Sequence, residues 1–163
     1  MHQGRNALIP MAIKLLDITG LILAGGRGSR MGGVDKGVVN HPLAGMLAGL
    51  AHCETPYMTT VPCDTPHFPL DLVERLIRGL VEVNGDIAMA FTLEEGVQRR
   101  QPVFILMNTC VKNSAMAHMR SGQGNVGTWA SQQRCARVVF EDRNAFFSAN
   151  TPADLAQLRS GAN

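Results

Sequence analysis

Leu21-Ile22-Leu23-Ala24-Gly25-Gly26-Arg27-Gly28-Ser29-Arg30-Met31-Gly32-Gly33-Val34-Asp35-Lys36-Gly37 is the stretch on which the reading of this chain turns. An apolar run from Ile18 to Ala24 breaks off into a segment where glycines separate Arg27, Arg30 and Lys36. Glycine lacks the Cβ that forbids positive φ and close approach, so such a loop can gather backbone N–H groups around one anion. The three cations then offset phosphate charge. The stretch predicts a buried strand delivering a phosphate loop; the alternative for this composition is a flexible, solvated loop.

Two familiar phosphate loops do not fit the spacing. A Walker loop closes on Gly-Lys-Ser/Thr, whereas Gly28-Ser29 and Lys36-Gly37 are separated and reversed. The dinucleotide fingerprint begins correctly at Gly26 and Gly28 but meets Met31 where its third glycine belongs.

Leu23 to Gly37 resembles the nucleotide signature of the molybdenum cofactor guanylyltransferases, a branch of the nucleotide-diphospho-sugar transferase-like fold, and the ending Gly32-Gly33-Val34-Asp35-Lys36-Gly37 points to that branch. Pro42-Leu43-Ala44-Gly45-Met46, Pro62-Cys63-Asp64-Thr65-Pro66, Gln101-Pro102-Val103-Phe104 and Asn150-Thr151-Pro152-Ala153-Asp154-Leu155 follow in the family's order. The resemblance implies an α/β fold: a Rossmann-like, mostly parallel sheet with flanking helices and an antiparallel edge excursion.

The whole chain sets wider bounds. Its 163 residues suit one domain, able to bury about 70% of the surface its unfolded chain exposes. With 45% hydrophobic and 17% charged residues it reads as an ordinary globular protein, and a net charge of +2 argues for no nucleic-acid surface. Cys53, Cys63, Cys110 and Cys135 form no C-x-x-C pair, and no histidine stands at ligand spacing, so zinc and disulfide frameworks are not expected. A reducing, cytoplasmic setting follows. Residues 1–17 are expected to be an N-terminal extension, without order of its own if Met11 is the true start, and the apolar run Ala7 to Leu16 is too short and interrupted for a membrane span. Residues 18–163 are read as the single nucleotidyltransferase domain.

Taken in order, the chain has one anomaly. His41-Pro42 follows Gly37-Val38-Val39-Asn40 at once, where the family carries an α/β stretch, and a βαβ unit needs about 30 residues. Either the protein has lost that piece or residues are missing from the sequence between Asn40 and His41. Loss would bare apolar faces of a parallel sheet. The second account is favoured, with the expectation that the Cα atoms of Asn40 and His41 lie well beyond the ~3.8 Å of a trans peptide link.

Further on, the spacing predicts a helix over Pro42–His52, an interior strand at Tyr57–Val61, a helix over Leu70–Glu82 and a strand at 86–92. A turn at Glu94–Gly96 leads into a strand from Val97 to Phe104, and a helix is expected from Asn108 to Met119 with His118 near its inner side. Trp129 is expected in the core, Ala136–Phe140 as a strand, and Thr151 to Asp154 as the start of a last helix. Cys63 is read as packing, and Arg99-Arg100 as either edge protection or contact with a second, phosphorylated substrate.

The resemblance implies transfer of GMP from GTP to the phosphate of Mo-molybdopterin, with release of pyrophosphate. Leu23, Ala24, Gly25, Gly26, Arg27, Lys36 and Asp64 would bind nucleotide; Arg30, Lys36 and Asp64 would carry the chemistry. Asp64, at a strand end facing the crevice, would hold Mg²⁺; as an alternative it caps the helix near Pro69. Arg100 and Asn150 would meet molybdopterin or Mo-molybdopterin, and molybdoenzymes or cofactor-insertion proteins are the further partners implied. Another nucleotidyltransferase using CTP or a sugar phosphate, and a carrier that binds nucleotide or cofactor without turnover, are the alternatives.

Overall fold

Ile87-Ala88-Met89-Ala90-Phe91 is apolar at every position, the composition of a strand covered on both faces. It forms the first part of β3 (Ile87–Glu94), buried from Ile87 to Thr92. The computed structural model describes residues 12–24 and 41–151, with 154 and 156 in addition. Around β3 it arranges β1 (Ile18–Leu23), β2 (Tyr57–Pro62), β4 (Val97–Asn108) and β5 (Cys135–Phe140) in the order β1-β2-β4-β3-β5. β1 and β2 are parallel, as are β3 and β5, while β4 runs antiparallel to both of its neighbours.

The mostly parallel α/β class read from the sequence is the architecture observed. Its antiparallel member is not at the lateral edge: β4 lies between β2 and β3. Only the outer half of the hairpin is an excursion, because β2 pairs with β4 from Ile105 to Asn108 and leaves Val97–Arg100 to β3 alone. The loop between these strands is two residues, Glu95 and Gly96, at φ 49° and 79°. Positive φ at both positions matches the right-handed twist of the flanking strands.

Helices cover both faces. On one, α1 (Pro42–His52) contributes Leu43, Met46 and Leu50, α3 (Lys112–Arg120) contributes Ala115, and α4 (Val126–Ser131) contributes Trp129 and Ala130, all packed with Met58, Met89, Ile105 and Met107. On the other, α2 (Leu72–Glu82) sets Leu72, Leu76 and Leu80 on Ala88, Ala90, Leu106 and Phe140. Burying each such leucine stabilises the fold by roughly 1.5–3 kcal/mol. α1 begins at a proline, whose fixed φ suits a first turn. It then lies so close to β1 that a Cβ on Gly49 would stand 2.6 Å from Leu21 Cδ2 and one on Gly45 2.7 Å from Leu23 Cδ2. These glycines serve helix-on-sheet packing.

Several expectations shift in detail. The helix expected from Asn108 starts at Lys112: β4 continues to Asn108, whose side chain accepts the Cys110 N–H and opens a short 3-10 turn at Thr109–Val111. α2 starts at Leu72, with Leu70 fully exposed. Arg75, expected on the outer face, instead lies 4.0 Å from the Phe140 ring centre and donates to the Val139 carbonyl at 2.6 Å. Trp129 is fully buried, as expected, and His118 is a core histidine in the last turn of α3. Cys63 is exposed, not packed, because it follows β2 at the open end of the sheet. The expectation about the Asn40–His41 distance, and most of the N-terminal extension, lie outside the described residues.

β1, expected as a buried strand, is instead an edge strand among the described residues, with one ladder partner, β2, no fully buried residue, and Ile22 68% exposed. No described helix is long and apolar enough to cross a membrane.

Candidate functional site

In open α/β sheets ligands gather outside the carboxyl ends of the strands. β1 and β2 are parallel and in register from Ile18↔Tyr57 to Leu23↔Pro62, so their ends coincide. The Cys63 N–H donates to the Leu23 carbonyl at 3.1 Å, extending the ladder one step past β2. Ala24, exposed, thus leaves β1 beside the Cys63-Asp64 turn.

Asp64 is half-buried two residues beyond β2. Its Oδ1 accepts from the Thr65 hydroxyl at 3.3 Å, and its Oδ2 receives no hydrogen bond among the described residues. It does not cap α2, whose N-cap is Asp71. Thr65, 1% exposed, also has its hydroxyl 3.2 Å from that of Ser148. The Asp64 carbonyl accepts the Ala149 N–H at 2.7 Å. These contacts dock the segment before Asn150 onto the Asp64 turn. Residues 83 or more apart in sequence thereby meet at one end of the sheet.

Asn150 is exposed, and its N–H and that of Thr151 donate to Asp154 Oδ2 at 2.9 and 2.8 Å. The Asp154 N–H returns a bond to Thr151 Oγ1 at 3.1 Å, the reciprocal pattern of a capping box. Those bonds lower the Asp154 pKa, the Thr151 hydroxyl foremost. The capping aspartate fixes the backbone at Asn150 and leaves its amide for other company.

The structure therefore brings Leu23, Ala24, Asp64 and the Asn150 backbone to one end of the sheet. Gly25, Gly26, Arg27, Arg30 and Lys36 lie outside the described residues. Arg100 keeps different company. It stands opposite Phe91 in the β3–β4 hairpin and lines a cavity with Arg137, Gln133 and Cys135. Arg99, its neighbour, turns to the other face and reaches Glu94 at 3.6 Å. Sequence reasoning passed over Thr65, Ser148 as a partner of Thr65, and Arg137. A cation inside the apolar run Cys135 to Phe140 was the available signal for the last.

Among the described residues no three His, Cys, Asp or Glu side chains come together. A metal here would rest on Asp64 with substrate oxygens and water. One hard carboxylate with a free oxygen fits Mg²⁺, which keeps several waters and takes one or two carboxylates plus phosphate.

Residues 38–138 match the family described as MobA-like NTP transferase domain. A molybdenum cofactor guanylyltransferase of Bordetella petrii is 44% identical, covering 87% of this chain and 97% of its own. The chain belongs to the molybdenum cofactor guanylyltransferase family. It is a nucleotidyltransferase. The corresponding protein of Cupriavidus necator is 39% identical over 85% of this chain and 94% of its own.

Solved structures agree on the fold. Molybdopterin-guanine dinucleotide biosynthesis protein A of Archaeoglobus fulgidus superposes with a TM-score of 0.57 at 17% identity, over 72% of this chain and 60% of that one. The 2-C-methyl-D-erythritol 4-phosphate cytidylyltransferase of Thermus thermophilus gives 0.59 at 15% identity, over 89% and 82%.

The Bordetella petrii comparison runs over 190 positions but takes in 87% of a 163-residue chain, about 142 residues, so about 48 of its positions face no residue here. The match to the family likewise opens at residue 38, after the glycine loop.

Proposed function

We propose that this nucleotidyltransferase moves GMP from GTP to the phosphate of Mo-molybdopterin and releases pyrophosphate. The observation that carries the reading is the Asp64 turn, tied on one side to the exit of β1 and on the other to the segment before Asn150. A nucleotide held at the first and a phosphorylated acceptor held at the second would meet over one carboxylate. Names of relatives at 39–44% identity support the choice of guanine and molybdenum cofactor.

In this reading the backbone at Ala24, Gly25 and Gly26 cradles the nucleotide, with Leu23 and Arg27 beside it. Arg30 and Lys36 neutralise the β and γ phosphates, and Asn150 orients the acceptor. Arg100 meets the acceptor farther out. Asp64 would hold Mg²⁺, which supplies charge neutralisation at the phosphates when bound. The acceptor phosphate is already ionised and needs no general base, so alignment and electrostatic stabilisation are the protein's work.

The test is pyrophosphate release from GTP, CTP and UTP in the presence of Mg²⁺ and molybdopterin. Release with GTP at least about tenfold above the others is expected, a preference of about 1.4 kcal/mol. Release favouring CTP would replace guanylyl by cytidylyl transfer. A second reading comes from the positions of the relatives that have no counterpart here: a chain that binds nucleotide or cofactor as a carrier. Nucleotide binding without any pyrophosphate release would establish it instead.

A further inference from the structure

Successive side chains of a strand point to opposite faces of the sheet, and the register of β3, β4 and β5 uses that alternation to collect two guanidinium groups. Arg100 stands opposite Phe91, and Arg137 opposite Met89. Phe91 and Met89 belong to the face that α4 covers. Under α4 these four residues, with Gln133 and Cys135, line a cavity of about 100 Å³. The Arg137 guanidinium carbon lies 5.7 Å from the centre of the Phe91 ring. Arg100 runs along Gly127, where a Cβ would stand 3.5 Å from its Cδ and 3.6 Å from a guanidinium nitrogen.

Arg75, Arg78, Arg99 and Arg134 each have a carboxylate within 4.0 Å. Among the described residues Arg100 and Arg137 have none, as is true of Arg120 and Arg143; what sets Arg100 and Arg137 apart is the pocket they line together. Arg100 and Arg137 are both exposed; two like charges facing one open pocket repel, and an anion between them turns that repulsion into two attractions. The local field is also felt at Cys135: burial pushes its thiol pKa up, and Arg137 and Arg100 pull the other way.

We propose that this cavity is an oxyanion site for one phosphate group, gripped by Arg100 and Arg137. Guanidinium forks suit phosphate oxygens, which they can meet in pairs. Size narrows the ligand. About 100 Å³ is well below the roughly 300–1,000 Å³ of sites that enclose whole drug-sized ligands. One phosphoryl group fits within it, and because the pocket opens to solvent the rest of a larger ligand would lie outside. The ligand is thus free inorganic phosphate or the phosphate end of a monoester whose remainder lies outside. The site uses none of the residues of the glycine loop; it shares Arg100 with the acceptor contact proposed above and rests on that reading only there, since phosphate binding is measured without the transfer reaction.

Calorimetric titration of the full chain with inorganic phosphate and with glycerol 3-phosphate, at fixed ionic strength with chloride as control, tests it. The proteins compared are the parent, Arg137→Gln, Arg137→Lys, Arg100→Gln and Lys36→Ala, each checked for native fluorescence of Trp129. Loss of either arginine fork by glutamine should weaken phosphate at least about tenfold, about 1.4 kcal/mol. Arg137→Lys should keep part of the affinity, and the arginine-dependent binding should persist in Lys36→Ala, whatever phosphate the glycine loop itself takes. Tighter binding of glycerol 3-phosphate assigns the site to monoesters, and tighter inorganic phosphate to the free ion. Failure of the parent to bind either at about 20 mM, an affinity weaker than roughly −2.3 kcal/mol, overturns the proposal. So does binding that Lys36→Ala abolishes and the arginine variants leave alone. If Arg137→Gln loses the native fluorescence, Arg137→Lys and Arg100→Gln decide the matter.

Discussion

Replacing Asp64 by asparagine separates its chemical role from its place in the fold. The side chain makes one described hydrogen bond, from the Thr65 hydroxyl at 3.3 Å, long for an O–H···O contact. The amide oxygen of asparagine can accept the same bond, so the stability cost is at most about 1 kcal/mol. For a chain of this size that is a shift of roughly 2–4 °C in Tm. The bond that docks Ala149 uses the Asp64 carbonyl and survives the substitution. The chemical cost is of another order. Removing one preorganised group that stabilises transition-state charge lowers kcat by roughly 100- to 1,000-fold, or about 2.7–4 kcal/mol. Pyrophosphate release from GTP with Mg²⁺ and molybdopterin, beside thermal unfolding of the same samples, reads both. Turnover within about threefold of the parent, under 1 kcal/mol, would refute a role for Asp64 in the reaction. A large fall in Tm would show that the carboxylate is structural.

Two further outcomes follow from contacts away from that turn. Ser114 Oγ accepts from Trp129 Nε1 at 3.1 Å and from Gln133 Nε2 at 2.7 Å, so Ser114→Ala leaves the indole N–H of a fully buried tryptophan unpaired and should cost about 1–3 kcal/mol in urea unfolding. Asp86 accepts from Nε and one Nη of Arg134, at 2.9 and 2.6 Å, and the hydrogen bond from Arg134 lowers its pKa. A depressed carboxylate stabilises the fold above its unfolded pKa, near 4, and that contribution is lost as pH falls through the folded value. Asp86→Asn should therefore lower the urea midpoint at pH 7 and leave it unchanged well below the folded pKa. An equal loss at both pH values would break the account.

What the sequence disclosed follows how local the cause is. α1 was legible to its ends because Pro42 opens it and apolar residues keep helical spacing to His52. The Thr151–Asp154 cap was legible because its partners are three residues apart. The turn at Asp64 was legible as a strand end, while its docking to Ser148 and Ala149 was not, because those bonds span more than eighty residues. Arg99 and Arg100 read as one basic pair in the sequence. Strand alternation divides them, one held by Glu94 and the other turned toward Arg137. The position of β4 inside the sheet was hidden too, since strand order depends on pairings that no local pattern encodes.

Among the described residues β1 is attached on one side alone, and this has a thermodynamic meaning. Six backbone pairings to β2 are the described ladder that seats it, and local opening is easiest where an element forsakes fewest neighbours. A nucleotide captured just past Leu23 would then tighten the strand that presents it. Affinity and the seating of β1 would form one coupled equilibrium, visible as amide protection from Ile18 to Leu23 that grows with nucleotide concentration.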